Sequence, residues 1–166
     1  MKKKVLISLL LVIFWMIFIF VMSSMDADNS NSKSIDLSID VITTVDKITK
    51  ANDEKVKSHK EESFIEKVNI LIRKSSHAIE YLILGVLLLN LFYQLGKYKF
   101  VFGLLSIGIS FLYACTDEYH QTFVMGRTGQ FVDVIIDTAG AIIGCIIFYL
   151  VHKLIVVIRK GKLKNS

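Results

Sequence analysis

Arg73, His77, Glu80 and Tyr81 stand at i, i+4, i+7 and i+8, a spacing that puts them on one stripe of a helix. An arginine there can fork around a phosphate or carboxylate. A histidine beside carboxylates can supply a general acid and a general base. A second group follows at Asp117-Glu118-x-x-Gln121, and one more helical turn beyond Cys115 would bring Gln121 onto the face of the two acids. Arg127 stands in the next loop, and Asp133 and Asp137 repeat the i, i+4 interval. The expected ligand-binding set is therefore Arg73, His77, Tyr81, Asp117, Glu118, Gln121, Arg127, Asp133 and Asp137, with the two arginines holding an anionic group and Asp133 and Asp137 positioning them. His77, Glu80, Asp117 and Glu118 are the candidate acid/base groups. No serine or cysteine nucleophile motif accompanies them, and Cys115 and Thr116 are weak candidates, so any hydrolysis would use activated water. One histidine among carboxylates would suit Ca²⁺, Mg²⁺ or Mn²⁺ better than zinc. No recognised metal-ligand spacing occurs, however, and neither metal nor cofactor is expected.

The elements that carry these residues must lie in a membrane. The chain has 166 residues, 53% of them hydrophobic, and no proline; its mean hydropathy of +0.54 is too high for an ordinary soluble domain. Four stretches approach the roughly 20 apolar residues that a spanning helix requires: 5–22, 78–95, 100–115 and 131–151. The first could instead be a signal peptide, with Lys2, Lys3 and Lys4 as its basic flank, but its apolar run is long and no Ala-x-Ala follows. Two cysteines without a Cys-x-x-Cys exclude a disulfide scaffold, a zinc ribbon and an iron–sulfur protein. Neither glycine-rich nucleotide loop is present.

Charge places the loops. Lys2 to Lys4, then Lys97 and Lys99, then the tail at 152–166 together hold ten Lys/Arg and no Asp/Glu, so these segments and both termini are expected in the cytoplasm of a multi-pass cell-membrane protein. The overall charge of +5 is thereby a topology signal, and nucleic acid is not an expected partner. The loop at 116–130 carries only Arg127 and belongs outside. So does the excursion 23–77, whose nine Lys/Arg are offset by ten Asp/Glu. Within it Val41, Val45 and Ile48 could share one side of a short helix. From Ser63 the pattern predicts an amphipathic interfacial helix, with a capping box at Ser63-x-x-Glu66 and a stripe of Phe64, Val68, Leu71 and Ile72.

The expectation is an all-α polytopic membrane protein: four transmembrane helices plus an amphipathic interfacial helix, one membrane domain over 1–166. A carboxylate inside a membrane costs about 2.5 to 3.5 kcal/mol, so Asp133 and Asp137 should face the bundle interior. Gly140-x-x-x-Gly144 offers a flat strip for close helix approach. Gly85, Gly103 or Gly108 could meet it within the chain, or the strip could serve a homodimer. Cys115 and Cys145 stand about 20 Å apart in depth and are expected to be unpaired packing residues.

Arg73-Lys74-x-x-His77-x-x-x-Tyr81-x-x-Leu84, followed by Asp117-Glu118-x-x-Gln121-x-Phe123-x-x-x-Arg127 and then Asp133 to Gly140, resembles the VanZ-like family of small bacterial membrane proteins. The resemblance covers about Phe14 to Val151 and includes Ser23-Ser24 after the first span. It implies a multi-pass plasma-membrane protein, whose best-known relative gives low-level resistance to the glycopeptide teicoplanin. Two departures stand out: Asp137 where many members have Asn, and Met125-Gly126-Arg127 without the usual proline before the glycine. Three functions follow as expectations. The first is binding or modification of a cell-envelope component at an outward-facing pocket. The second is an intramembrane hydrolase or transferase acting on a lipid-linked precursor. The third is a packing or partner role, in which the same charges lock helices together through buried ion pairs.

Overall fold

The computed structural model describes residues 2–24, 57–96, 100–125, 127 and 129–164. Among them the chain forms four helices and no strand: α1 (Lys2–Ser23), α2 (Lys57–Leu95), α3 (Phe100–Gln121) and α4 (Phe131–Lys164). All four contain a stretch long and apolar enough to cross a membrane, over Lys2–Ser23, Ile70–Leu95, Phe100–Gln121 and Phe131–Gly161. No more than 33% of any of these stretches is buried inside the protein, so most of their apolar surface requires an apolar surround. The protein is a multi-pass membrane protein.

Two expectations about the elements change. The separate amphipathic helix does not exist as an element among the described residues, because Lys57–Leu95 is one continuous helix. Nothing between Ser63 and Gly85 breaks a helix, and the adjacent Ser75 and Ser76 are absorbed, with the Ser76 hydroxyl donating to the Ile72 carbonyl at 2.9 Å. The helix starts six residues before Ser63, so Ser63 is not at its N-terminus. The expected short helix at Val41, Val45 and Ile48 lies outside the described residues. The third span also runs on through Asp117 and Glu118 to Gln121, since these polar residues are buried against neighbouring helices rather than released into a loop.

α2 is the central element and packs against all three others, most extensively against α4. Tyr81, Leu84, Leu88 and Leu91 of α2 meet Val12 and Ile19 of α1, Ala114 of α3 and Val134 of α4 in the core. The α2–α4 contact depends on glycine. A Cβ on Gly140 would collide with the backbone of Ala78, one on Gly144 with that of Leu82, and one on Gly85 with that of Ala141. The small-residue strip is thus taken up within the chain, with Gly85 as its counterpart on α2; Gly103 and Gly108 have nothing within 4 Å.

α1 is held by polar links through the apolar interior. The Trp15 indole donates to the Glu80 carbonyl at 2.8 Å, the Asn90 amide to the Ser8 hydroxyl at 3.1 Å, and the Tyr113 hydroxyl to the Met16 carbonyl at 2.5 Å. Each satisfies a group that has no water to turn to in lipid. Cys115 and Cys145 are both free, as their depths require.

Candidate functional site

The polar residues gather at one end of the bundle, where α1 and α3 finish and α4 begins beside the middle of α2. Four consecutive helices alternate in direction, and each delivers its chemistry-bearing residues to this end. Arg73, Lys74 and His77 of α2, Gln121 of α3, Arg127 of the connecting loop and Asp133 and Asp137 of α4 line one cavity of about 40 Å³, room for about three waters.

The loop is fastened to the site at both ends. A run of turn bonds follows α3, including Thr122 N–H to the Tyr119 carbonyl at 3.2 Å and Arg127 N–H to the Val124 carbonyl at 3.1 Å. The Gln130 N–H donates to Glu118 Oε2 at 2.8 Å, and Asp133 N–H to the Gln130 carbonyl at 2.9 Å. Gln121 completes the expected face: its Nε2 donates to Glu118 Oε1 at 3.1 Å and reaches Asp117 Oδ2 at 3.5 Å. Without this turn Arg127 would have no fixed place relative to the helices.

The expected residues come together, but their pairing differs from expectation. Asp133 does not hold an arginine; it pairs with Lys74, which the sequence reading left out of the site. Lys74 is one turn before His77 on the same face, and that spacing was the available signal. Asp137 positions no arginine either: it is fully buried and neither carboxylate oxygen has a hydrogen-bond partner from the protein. His77 Nδ1 lies 3.9 Å from Glu80 Oε2, too far for a hydrogen bond, and both atoms are unpartnered. The buried Tyr81 hydroxyl, Asp117 Oδ1 and Arg127 Nε are unpartnered as well. Side-chain donor atoms of His77, Asp117 and Asp137 all lie within 4.8 Å of one another.

Two serines after the first span also belong here. Ser23 is fully buried against Asp117. Ser24 closes α1 by donating to the Phe20 carbonyl at 2.6 Å, and its hydroxyl lies 3.1 Å from His120 Nε2. His120 thus packs on α1, with its ring 4.5 Å from that of Phe20, and does not line the cavity.

Burial in this crowd, together with the neighbouring Arg73 guanidinium, pushes the Arg127 pKa below its ordinary value, while Asp117, Glu118 and Glu80 pull it up. Two guanidinium groups are therefore held near each other on the wall of one cavity, against the repulsion of like charges. The family model described as VanZ/LLP1 matches residues 8–152. The chain belongs to the VanZ/LLP1 family. The match spans α1 from Ser8 through most of α4, so every residue of the site falls inside the VanZ/LLP1 region. No curated protein and no solved structure matches the chain.

Chemically, this VanZ/LLP1 site offers two forked cations on the cavity wall and buried, unpartnered carboxylate, imidazole and phenol groups near them. The cations suit a phosphate or carboxylate. The buried groups can hold or move a proton, or coordinate an ion.

Proposed function

We propose that this VanZ/LLP1 protein binds the anionic group of a cell-envelope component in an outward-facing pocket. The chain acts as one membrane domain of the plasma membrane with both termini in the cytoplasm, a reading supported by the distribution of Lys and Arg. The observation that carries this reading is the pair Arg73 and Arg127 on one small cavity. Both guanidinium groups border the space an entering anion would occupy, and their planar forks match a phosphate or carboxylate. Arg73 and Arg127 grip a phosphate or carboxylate, Gln121 and Tyr81 supply hydrogen bonds, and the lipid-exposed helices admit a lipid-linked ligand from the side. Occupying an envelope precursor in this way lowers the access of glycopeptides to their target, which gives low-level teicoplanin resistance.

A second reading is favoured by the unpartnered His77 beside Glu80 and Asp117: the pocket hydrolyses or transfers the group it binds, with these residues moving the proton of an activated water. Binding comes first in both readings and is tested first. Purified protein in nanodiscs should bind a polyprenyl phosphate saturably. Arg73→Gln combined with Arg127→Gln should weaken that binding at least about 100-fold, on the basis of roughly 1.5 to 3 kcal/mol for each charged hydrogen bond lost. The same double variant should lose the teicoplanin tolerance that the native gene confers on a susceptible strain. Binding that is indifferent to both substitutions would remove the proposal.

A further inference from the structure

The site described above carries a charge problem that the arginines do not solve. Glu80, Asp117, Glu118, Asp133 and Asp137 contribute five carboxylates, against Arg73, Lys74 and Arg127 as permanent cations. Lys74 is already committed to Asp133. The Gln121 amide and the Gln130 N–H serve Glu118. What remains at the centre is Asp137, fully buried with both oxygens unpartnered, Asp117, 3% exposed with one oxygen unpartnered, and His77 with an unpartnered Nδ1. Buried carboxylates are paired, neutralised or bound to metal, and the formal excess of two carboxylates over cations equals the charge of one divalent ion.

The geometry suits such an ion. Donor atoms of His77, Asp117 and Asp137 lie within 4.8 Å of one another. Ligands on opposite sides of a cation are separated by twice the bond length, roughly 4.2 Å for Mg²⁺ and about 4.6 to 5.2 Å for Ca²⁺. The edges of about 3.3 Å around a tetrahedral zinc also fall inside that limit, so the donor set rather than the spacing decides the class of ion. An independent group lies close by: the Tyr81 hydroxyl, on a fully buried side chain, has no partner and is within electrostatic reach of Asp117 and Asp137. It is placed to donate to a water or to a ligand oxygen on the ion. The ligand spacing gave no warning in the sequence because α2, α3 and α4 contribute one donor each.

We propose that His77, Asp117 and Asp137 bind one divalent cation of the Mn²⁺, Mg²⁺ and Ca²⁺ class, and that this ion completes the receptor for a phosphate held by Arg73 and Arg127. This deepens the anion-binding reading and, for the role of the ion, rests on it. Two carboxylates and one imidazole favour Mn²⁺ within that class, since nitrogen ligands suit the transition ion better than the alkaline earths. Three protein ligands leave coordination positions for water and for a phosphate oxygen. A pocket that would otherwise repel an anion then accepts one.

The test uses the full chain in nanodiscs without added lipid phosphate, stripped with a chelator and titrated with Mn²⁺ while free ion is followed by electron paramagnetic resonance. One saturable site per chain is expected, with competition by Mg²⁺ and Ca²⁺ and with a nitrogen coupling from imidazole in the pulsed spectrum. Asp137→Asn and Asp117→Asn should each weaken the site more than about 10-fold, the loss reported even for residues that only orient a ligand. His77→Gln should remove the nitrogen coupling, and Lys160→Ala should titrate as the native protein does. Gel filtration and helical circular dichroism establish that the variants are folded. Should one fail to fold, the nitrogen coupling in the native protein decides on its own. No bound Mn²⁺ up to about 1 mM, the weak end of protein Ca²⁺ sites, overturns the proposal. So does bound Mn²⁺ without nitrogen coupling, or binding unchanged in a folded Asp137→Asn. Polyprenyl phosphate binding on the same preparation, with and without chelator, separates the two readings. Loss of the ion site with arginine-dependent binding intact refutes the metal alone, and ion binding with arginine-independent lipid binding refutes the anion reading alone.

Discussion

Gly144→Ala should destabilise the protein, whereas Gly108→Ala should not. Both glycines are inside helices, so both substitutions gain the same intrinsic helix preference, about 1 kcal/mol, and the difference between them isolates what the methyl group meets. On Gly108 it meets nothing within 4 Å, while on Gly144 it would strike the Leu82 carbonyl group, with the carbonyl carbon 2.9 Å away. Carbon atoms pack best at about 3.5 to 4.0 Å, so α2 and α4 must separate by several tenths of an ångström or more. Overpacking of this kind costs about 1 to 3 kcal/mol. At about 2 to 4 °C per kcal/mol for a chain of this size, Gly144→Ala should unfold roughly 2 to 12 °C below Gly108→Ala when both are heated in the same detergent. A midpoint for Gly144→Ala equal to or above that of Gly108→Ala would refute the internal α2–α4 contact and return the strip to an intermolecular role.

Two further outcomes follow. Tyr113→Phe removes the hydroxyl that donates to the Met16 carbonyl at 2.5 Å and should cost about 0.6 kcal/mol, the mean for such bonds between transmembrane helices; chemical denaturation measured against the native protein checks it, and an unchanged midpoint would mean that α1 is not held by this bond. In a chain carrying Cys115→Ser and Cys145→Ala, a cysteine replacing the exposed Met125 should react with a membrane-impermeant maleimide on intact cells, while one replacing Lys160 should react only after lysis. The reverse pattern would invert the topology and turn the pocket toward the cytoplasm.

The number of spans was legible because apolar runs of spanning length are hard to hide in a sequence. Their ends were not. Asp117, Glu118 and Gln121 look like the start of a loop when polarity is read along one chain, yet they stay helical because they are buried in the bundle and the Gln130 N–H donates to Glu118. The same blindness to neighbours divided α2 into an interfacial helix and a span, since the change in composition along it does not interrupt backbone hydrogen bonding. The residues of the site were readable from helical spacing within each element. Which carboxylate meets which cation was not, because Lys74 and Asp133 are partners only through the register of α2 on α4. Ser23 carried one hint, the Ser-Ser pair of the family resemblance, but its contact with Asp117 depends on where α1 ends.

That register links stability to chemistry. Gly140 follows Asp137 by three residues, so the two share a face of α4, and Gly140 rests against Ala78, the residue after His77. The short aspartate side chain can approach the imidazole because, one turn further along, the two helices touch backbone to backbone. A larger residue at 140 or 144 would therefore do more than loosen the bundle. By moving α4 away from α2 it would draw Asp137 from His77, while leaving Asp117 and Glu118 fixed by Gln121 and the loop. The glycines that make the fold compact in lipid thereby also set the spacing of the donor atoms, which explains why the close helix contact lies directly beneath the charged end of the bundle.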